Sequence, residues 1–353
     1  MTSVVPLCLF PERSLVIKSV TILPGVTVRS YAGQLAEAIG RTVARLPVSP
    51  GFTPTHMIVI DNERYLSELD VRLSAEGKRR DPADPMSPDI DGIVRQVLVG
   101  FTLIGRIGWT FGGIHYFKKK VDGAARHISS AYADRPTVAM PWAMRAALSS
   151  PRKRRIRRER LRTLVLLLDR YYRSGIWWVD RLSVALGYLW SSLTTIHAEL
   201  AFIGFTMALE ALVSTSQNEI THILAERCAV VLRKDAAGRV ATYCLIKELY
   251  GVRSKIVHGR AAPKRGTLTQ ASLFVYAKRS NIPTSQLSQL ADLTLNMVAA
   301  VLRMPPLRDI LQKQQSEGKT DAEIGSFFAH VLLAGQIPKV AKRTHRGGLC
   351  VVV

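Results

Sequence analysis

The residues best suited to chemistry in this chain of 353 residues lie in one stretch, Leu245-Ile-Lys-Glu-Leu-Tyr-Gly-Val-Arg-Ser-Lys-Ile-Val-His-Gly259. Arg253 and His258 are separated by four residues, and the small polar Ser254 directly follows the arginine. An imidazole exchanges protons near neutral pH, whereas a guanidinium stays charged and forks onto phosphate oxygens. Together they suit acid–base chemistry at a phosphate ester without a metal. Upstream, Met207-Ala-Leu-Glu-Ala-Leu-Val213 sets Glu210 in an otherwise apolar helix. A lone buried carboxylate is costly, so Glu210 must find a partner or neutralise. Pairing with Arg253 would satisfy both groups.

The same residues also fit a purely structural role, with Arg253 bound to Glu210 and His258 closing a helix before Gly259. Geometry matters here. Five residues at about 100° each place Arg253 and His258 about 140° apart on a regular helix. They share one face only if the helix starts or bends near Gly251.

The apolar helix carrying Ala-Leu-Glu210, the following Glu219-Ile-Thr-His-Ile-Leu-Ala-Glu-Arg-Cys-Ala-Val-Val-Leu232, and the Tyr-x-x-Arg-Ser-Lys-x-Val-His-Gly context occur in a telling order. This order resembles the HEPN superfamily of helical domains, particularly its Apea-like branch, over about residues 200–260 and in looser form to 345. The resemblance implies a metal-independent endoribonuclease working through the ribose 2′-hydroxyl. His258 would be the acid/base, Arg253 the phosphate clamp, and Ser254 and Glu210 would complete the catalytic set. It also implies a homodimer that brings two motifs into one cleft, no required cofactor, and a role in phage defence or toxin-like conflict systems. One departure narrows the options. Gly259-Arg260-Ala261 replaces the tyrosine that closely follows the histidine in nucleotidyltransferase-partnered members, which disfavours that variety.

Charge points the same way. The chain carries 49 Lys+Arg against 27 Asp+Glu, a net charge of +22. Residues 1–150 contribute +5 and residues 151–353 contribute +17, so the second half is the polyanion-seeking one. Arg152, Lys153, Arg154, Arg155, Arg157 and Arg158 crowd the start of a helical stripe (Leu161, Leu164, Val165, Leu168) and could grip RNA phosphates, or simply form a solvated helix end. Lys255, Arg260, Lys264 and Arg265 flank the histidine and could line the same cleft, as could Lys278 and Arg279.

The elements that must hold these residues follow from periodicity. Ser14–Leu23 and His56–Asp61 read as strands, Ala32–Leu46 and Ile93–Ile104 as helices, and Gly108–Lys120 as a last strand or hairpin. Residues 81–89, rich in Pro and Asp, read as an exposed loop. From Ser149-Ser150-Pro151 onward, apolar residues recur at three and four through six segments: the stripe from Leu161, then Trp178–Trp190, Ile196–Val213, Ile220–Leu232, Val240–Tyr250 and Leu287–Leu302. The expected fold is therefore α+β: an N-terminal mixed α/β module over 1–150 with a sensing or recruiting role, then an all-α antiparallel bundle over 151–353. Ser216–Glu219 and Thr320–Glu323 read as capping boxes, and Pro305-Pro306 as a helix stop.

Other signals fail on inspection. Glu317-Gly-Lys-Thr320 resembles a P-loop tail, but Lys313 stands where its first glycine belongs. Cys350-Val-Val-Val353 ends in a residue unusual for prenylation. Trp177, Trp178 and Trp190 fit core packing better than base stacking. The four cysteines have no paired spacing and the histidines no metal spacing, which suits a reducing cytoplasm and argues against zinc. No apolar run approaches the ~20 residues of a spanning helix, so integral membrane association is not expected. RNA and a second copy of the chain are the expected partners, with a protein partner open for the N-terminal module. The competing class is a non-catalytic adaptor that binds nucleic acid or protein through its basic surface.

Overall fold

The computed structural model describes residues 2–10, 19–30, 56–61, 64, 90–106, 108–111, 114–119, 125–131, 138–139, 158–173, 180–195, 197–215, 219–258, 282–313 and 317–334. The chain is α+β, with an antiparallel sheet confined to the N-terminal portion and helices thereafter. The strands are β1 (Thr2–Phe10), β2 (Ser19–Leu23), β3 (Val26–Ser30), β4 (His56–Asp61), β5 (Gly108–Phe111), β6 (Ile114–Lys119), β7 (Ala125–Ala131) and β8 (Val138–Ala139). The helices are α1 (Ile90–Gly105), α2 (Arg158–Arg173), α3 (Arg181–Thr194), α4 (Ala198–Val213), α5 (Ile220–Leu232), α6 (Ala236–Val257), α7 (Thr284–Arg303), α8 (Pro305–Leu311) and α9 (Glu317–Ala334).

Two compact units form. The first comprises Met1–Ile176, Trp190–Phe202 and Pro263–Asp292; the second comprises Trp177–Leu189, Ile203–Ala262 and Leu293–Val353. The first unit thus continues past the 150/151 boundary that the composition change suggests. The reason is packing. Leu161, Leu164, Val165 and Leu168 of α2 are buried, and the missing side chain of Gly100 on α1 lets α2 come close: a Cβ there would sit 2.8 Å from Val165. Gln96 of α1 also donates to the Val165 carbonyl. The stripe on α2 is as the spacing predicts, but α1 receives it.

In the sheet, strands run in the order β2-β3-β4-β1-β5-β8, with β6 joining β1 and β7 joining β6. Residues 7–10 of β1 pair with β5 and residues 2–4 with β6. Both are antiparallel to β1 and so run in the same direction. Residues 108–111 and 114–119 therefore lie along one partner rather than pairing with each other as a hairpin, and β7 and β8 follow them. Five consecutive residues of β4, His56 to Ile60, are buried, as expected of a strand covered on both faces. Trp109 is fully buried, donates from Nε1 to Thr102 Oγ1 at 3.1 Å, and stacks on Trp190 with 5.2 Å between ring centroids. The Arg95 guanidinium lies 5.6 Å from the Trp190 ring, so Trp190 is a packing residue as its spacing suggests. The 32–46 and 81–89 segments, Trp177, Trp178 and the C-terminal tail lie outside the described residues.

The second unit is helical. α5 and α6 pack as a helical hairpin, with Leu224, Ala225, Cys228 and Ala229 of α5 and Thr242, Ile246 and Leu249 of α6 buried. Asp235 caps α6 by accepting from the Gly238 N–H at 2.6 Å, and that bond holds its carboxyl below the usual carboxylate range. Two helix starts differ from the capping-box expectation. α5 begins at Ile220 behind Glu219, which adopts φ 54° and makes no side-chain cap. The Glu219 carbonyl instead accepts from the N–H groups of His222 and Ile223. Thr320 lies inside α9, buried, because that helix already starts at Glu317. Pro305 and Pro306 do end α7, and they open α8 from its first positions, where their missing N–H groups cost nothing.

Cys228 is fully buried, and burial pushes its thiol up to about 12, whereas Cys244 is exposed on α6. A thiol reagent at pH 8 is expected to modify Cys244 rapidly and to reach Cys228 only on unfolding. Mass-spectrometric peptide mapping with and without denaturant checks this.

Candidate active site

α6 is continuous from Ala236 to Val257, so it does not start at Gly251. Arg253 and His258 consequently stand about 140° apart around one helix and do not share a face within a chain. His258 is the residue that ends α6. Its N–H donates to the Ser254 carbonyl at 3.0 Å, and its side chain is exposed. Ser254 is half-buried and Lys255 exposed on the same last turn.

Arg253 turns the other way. Its Nη2 lies 3.8 Å from Glu210 Oε1, and the two side chains are 24% and 18% exposed. The guanidinium also sits 5.3 Å from the centroid of the Tyr250 ring, one turn back on α6. The pairing that the buried carboxylate demands is thus present, though at ion-pair distance without a hydrogen bond between Arg253 and Glu210. Glu210 Oε1 and Arg253 Nε are both buried without a hydrogen-bond partner among the described residues. Each such atom costs about 1–3 kcal/mol.

Glu210 itself is fixed by the end of α4. Arg181 donates from Nε to the Ala211 carbonyl at 2.9 Å, from Nη2 to the carbonyls of Glu210 (3.3 Å) and Ser214, and from Nη1 to Asp321. Arg227 of α5 donates from Nη1 to the Val213 carbonyl at 2.5 Å and to Thr215 Oγ1 at 3.0 Å, with its guanidinium 4.9 Å from the Phe328 ring. Burial lowers the Arg227 pKa, while the Glu226 and Asp321 carboxylates oppose that. Two cations on the last carbonyls of a helix satisfy its orphan acceptors and complement its dipole.

Sequence reasoning did not single out Arg181, Arg227 or Tyr250. Tyr250 was legible as the i−3 neighbour of Arg253. Arg181 was not, because its acceptors are 29 or more residues distant.

Burial, then the negative charge of Glu210, pushes the Tyr250 phenol up to about 12 against the pull of Arg253. A raised pKa stabilises the fold fully below the ordinary tyrosine value of 10, and that stabilisation is lost as pH rises toward 12. Tyr250→Phe is therefore expected to flatten the decline in stability between pH 10 and 12. Denaturant midpoints of both forms across that window would check it.

Of the expected phosphate-binding residues, Lys255 is exposed at the motif. Arg158 starts α2 in the first unit, followed by the exposed Arg160 and Arg162. Arg152, Lys153, Arg154, Arg155, Arg157, Arg260, Lys264, Arg265, Lys278 and Arg279 lie outside the described residues. Among the described residues no group of His, Cys, Asp and Glu could hold a metal ion, and no helix is long and apolar enough to cross a membrane. Compared with protein-family models, curated proteins and solved structures, the chain matches none.

Proposed function

We propose that this protein is a metal-independent endoribonuclease of the HEPN type, acting as a homodimer. The observation that carries the reading is an exposed His258 at the end of α6, one and a half turns from an arginine that Glu210 and Tyr250 orient but do not saturate. His258 takes the proton of a ribose 2′-hydroxyl. The 2′-oxygen then bonds to phosphorus as the bond to the 5′-oxygen breaks, and the proton passes to that leaving oxygen. The products are a 2′,3′-cyclic phosphate and a 5′-hydroxyl. Arg253 meets the charge that gathers on the phosphoryl oxygens. Because 140° separates the two groups on α6, a second copy supplies the complementary one, which is why the reading requires a dimer. Purified protein with mixed RNA in excess EDTA tests it: cleavage leaving cyclic phosphate ends, absent in His258→Ala, is the expected result.

One observation favours a second reading, a non-catalytic adaptor on nucleic acid. Arg253 is drawn onto Glu210 and Tyr250, as a structural ion pair would be. Salt-sensitive RNA binding with no cleavage by either form would establish it.

A further inference from the structure

Along α6, positions 243, 247, 251 and 255 form one i+4 row, each step about 6 Å along the axis and about 40° around it. They carry Tyr243, Lys247, Gly251 and Lys255, and His258 lies one turn beyond. Lys247, Gly251, Lys255 and His258 are exposed and Tyr243 is half-exposed. Gly251 is the anomaly. Glycine inside a helix lowers the folding equilibrium about fivefold relative to alanine. Among the described residues no packing calls for it here, since a Cβ at Gly251 would meet nothing within 4 Å. A glycine at an open helical position is suited to a ligand that lies against the backbone.

The surroundings say which ligand. Lys247 and Lys255 lie one turn to either side of Gly251 on α6 and are both exposed, and the Lys247 ammonium rests beside the Tyr243 ring. Tyr243 offers a ring, anchored by its hydroxyl 2.8 Å from His222 Nδ1 on α5, with the Lys247 ammonium 5.4 Å from the ring centroid. Within residues 243–258 the acidic residue is Glu248, outnumbered by the two lysines on the row. Alternating ring, cation, gap and cation is the arrangement that single-stranded nucleic acid uses, with a base on the ring and phosphates on the cations.

We infer that this row is a binding track for single-stranded RNA, with a backbone phosphate over Gly251 between Lys247 and Lys255 and an adjacent base on Tyr243. The track delivers the next linkage to His258. It rests on the ribonuclease reading for its cargo but not for its test.

The probe is a fluorescent single-stranded DNA dodecamer of mixed sequence, which fits the track and lacks the 2′-hydroxyl needed for cleavage. Anisotropy titrations on the full chain are expected to show Gly251→Ala melting roughly 2 °C higher yet binding roughly tenfold weaker. Lys247→Gln and Lys255→Gln, both at exposed positions, should each reduce the salt slope by about 0.7. Tyr243→Leu should bind about 5- to 100-fold weaker while Tyr243→Phe, which keeps the ring, binds as the parent does. Unchanged affinity in Gly251→Ala and in both lysine variants overturns the inference. So does a Gly251→Ala protein whose sedimentation shifts while its affinity does not, because the face then belongs to a second copy. Loss of cleavage in His258→Ala alongside unchanged binding in the track variants removes the track and leaves the nuclease. Weakened binding in those variants with no cleavage of RNA by the parent removes the nuclease and leaves the track.

Discussion

His258→Ala is expected to lower the rate of RNA cleavage by about 10²–10⁴-fold while leaving the fold intact. The two halves of that expectation have separate causes. The side chain is exposed, and the hydrogen bond that closes α6 at this residue comes from the backbone N–H, which alanine retains. Surface changes of this kind stay within about 0.5 kcal/mol. The chemistry, by contrast, loses its only proposed proton carrier. Arg253→Lys is a useful companion. It keeps a positive charge beside Glu210 but removes the planar fork, so it should retain RNA affinity and lose about 10²–10³-fold in turnover. Single-turnover cleavage in EDTA, with thermal melting of each variant, measures both. If His258→Ala cleaves as fast as the parent, the assignment of the acid/base is wrong.

The largest stability effect is expected at Arg106 in the first unit. This arginine is 3% exposed and has φ 55°, the left-handed conformation that usually selects glycine after a helix. Its N–H donates to the Thr102 carbonyl, and its side chain folds back onto the end of α1, with Nη1 donating to the carbonyls of Leu103 (2.9 Å) and Thr102 (3.3 Å). Nε meets Asp292 Oδ1 at 2.6 Å, and Nη2 donates to the Asp292 carbonyl at 3.2 Å. Removing it strands buried acceptors and leaves a hole. Arg106→Ala is therefore expected to cost about 3 kcal/mol, lowering the melting midpoint by roughly 6–12 °C. Arg106→Gly should be the milder variant by about 1 kcal/mol, because it relieves the backbone strain that alanine keeps. Equal losses in the two would show that the side-chain contacts, and not the backbone conformation, set the whole effect.

The site was partly legible for a simple reason. A carboxylate in an apolar helix must be answered by a cation, and the Arg253 that answers Glu210 lies 43 positions downstream in the same helical array. That is a rule of solvation and needs no fold. The strand at His56–Asp61 and the helix at Ile220–Leu232 were equally direct, since each is a local pattern of apolar residues. The capping boxes failed because a four-residue pattern competes with its surroundings. Thr320 is an apolar-face position of α9, and burying it there outweighs using it as a cap.

Charge, composition and periodicity determined an α+β chain with a basic, helical second part, and the motif around Arg253 and His258, with Glu210 upstream, supplied the candidate reactive groups. The tertiary structure alone decided that α2 packs on α1, that 108–111 and 114–119 share β1, and that Arg181 and Arg227 clamp the end of α4. It also decided that α6 continues through Gly251, with Arg253 turned toward Glu210 and His258 exposed. Local pattern fixes which face of an element avoids water. Which neighbour covers that face depends on shape and on acceptors far along the chain, and these exist only once the chain has folded.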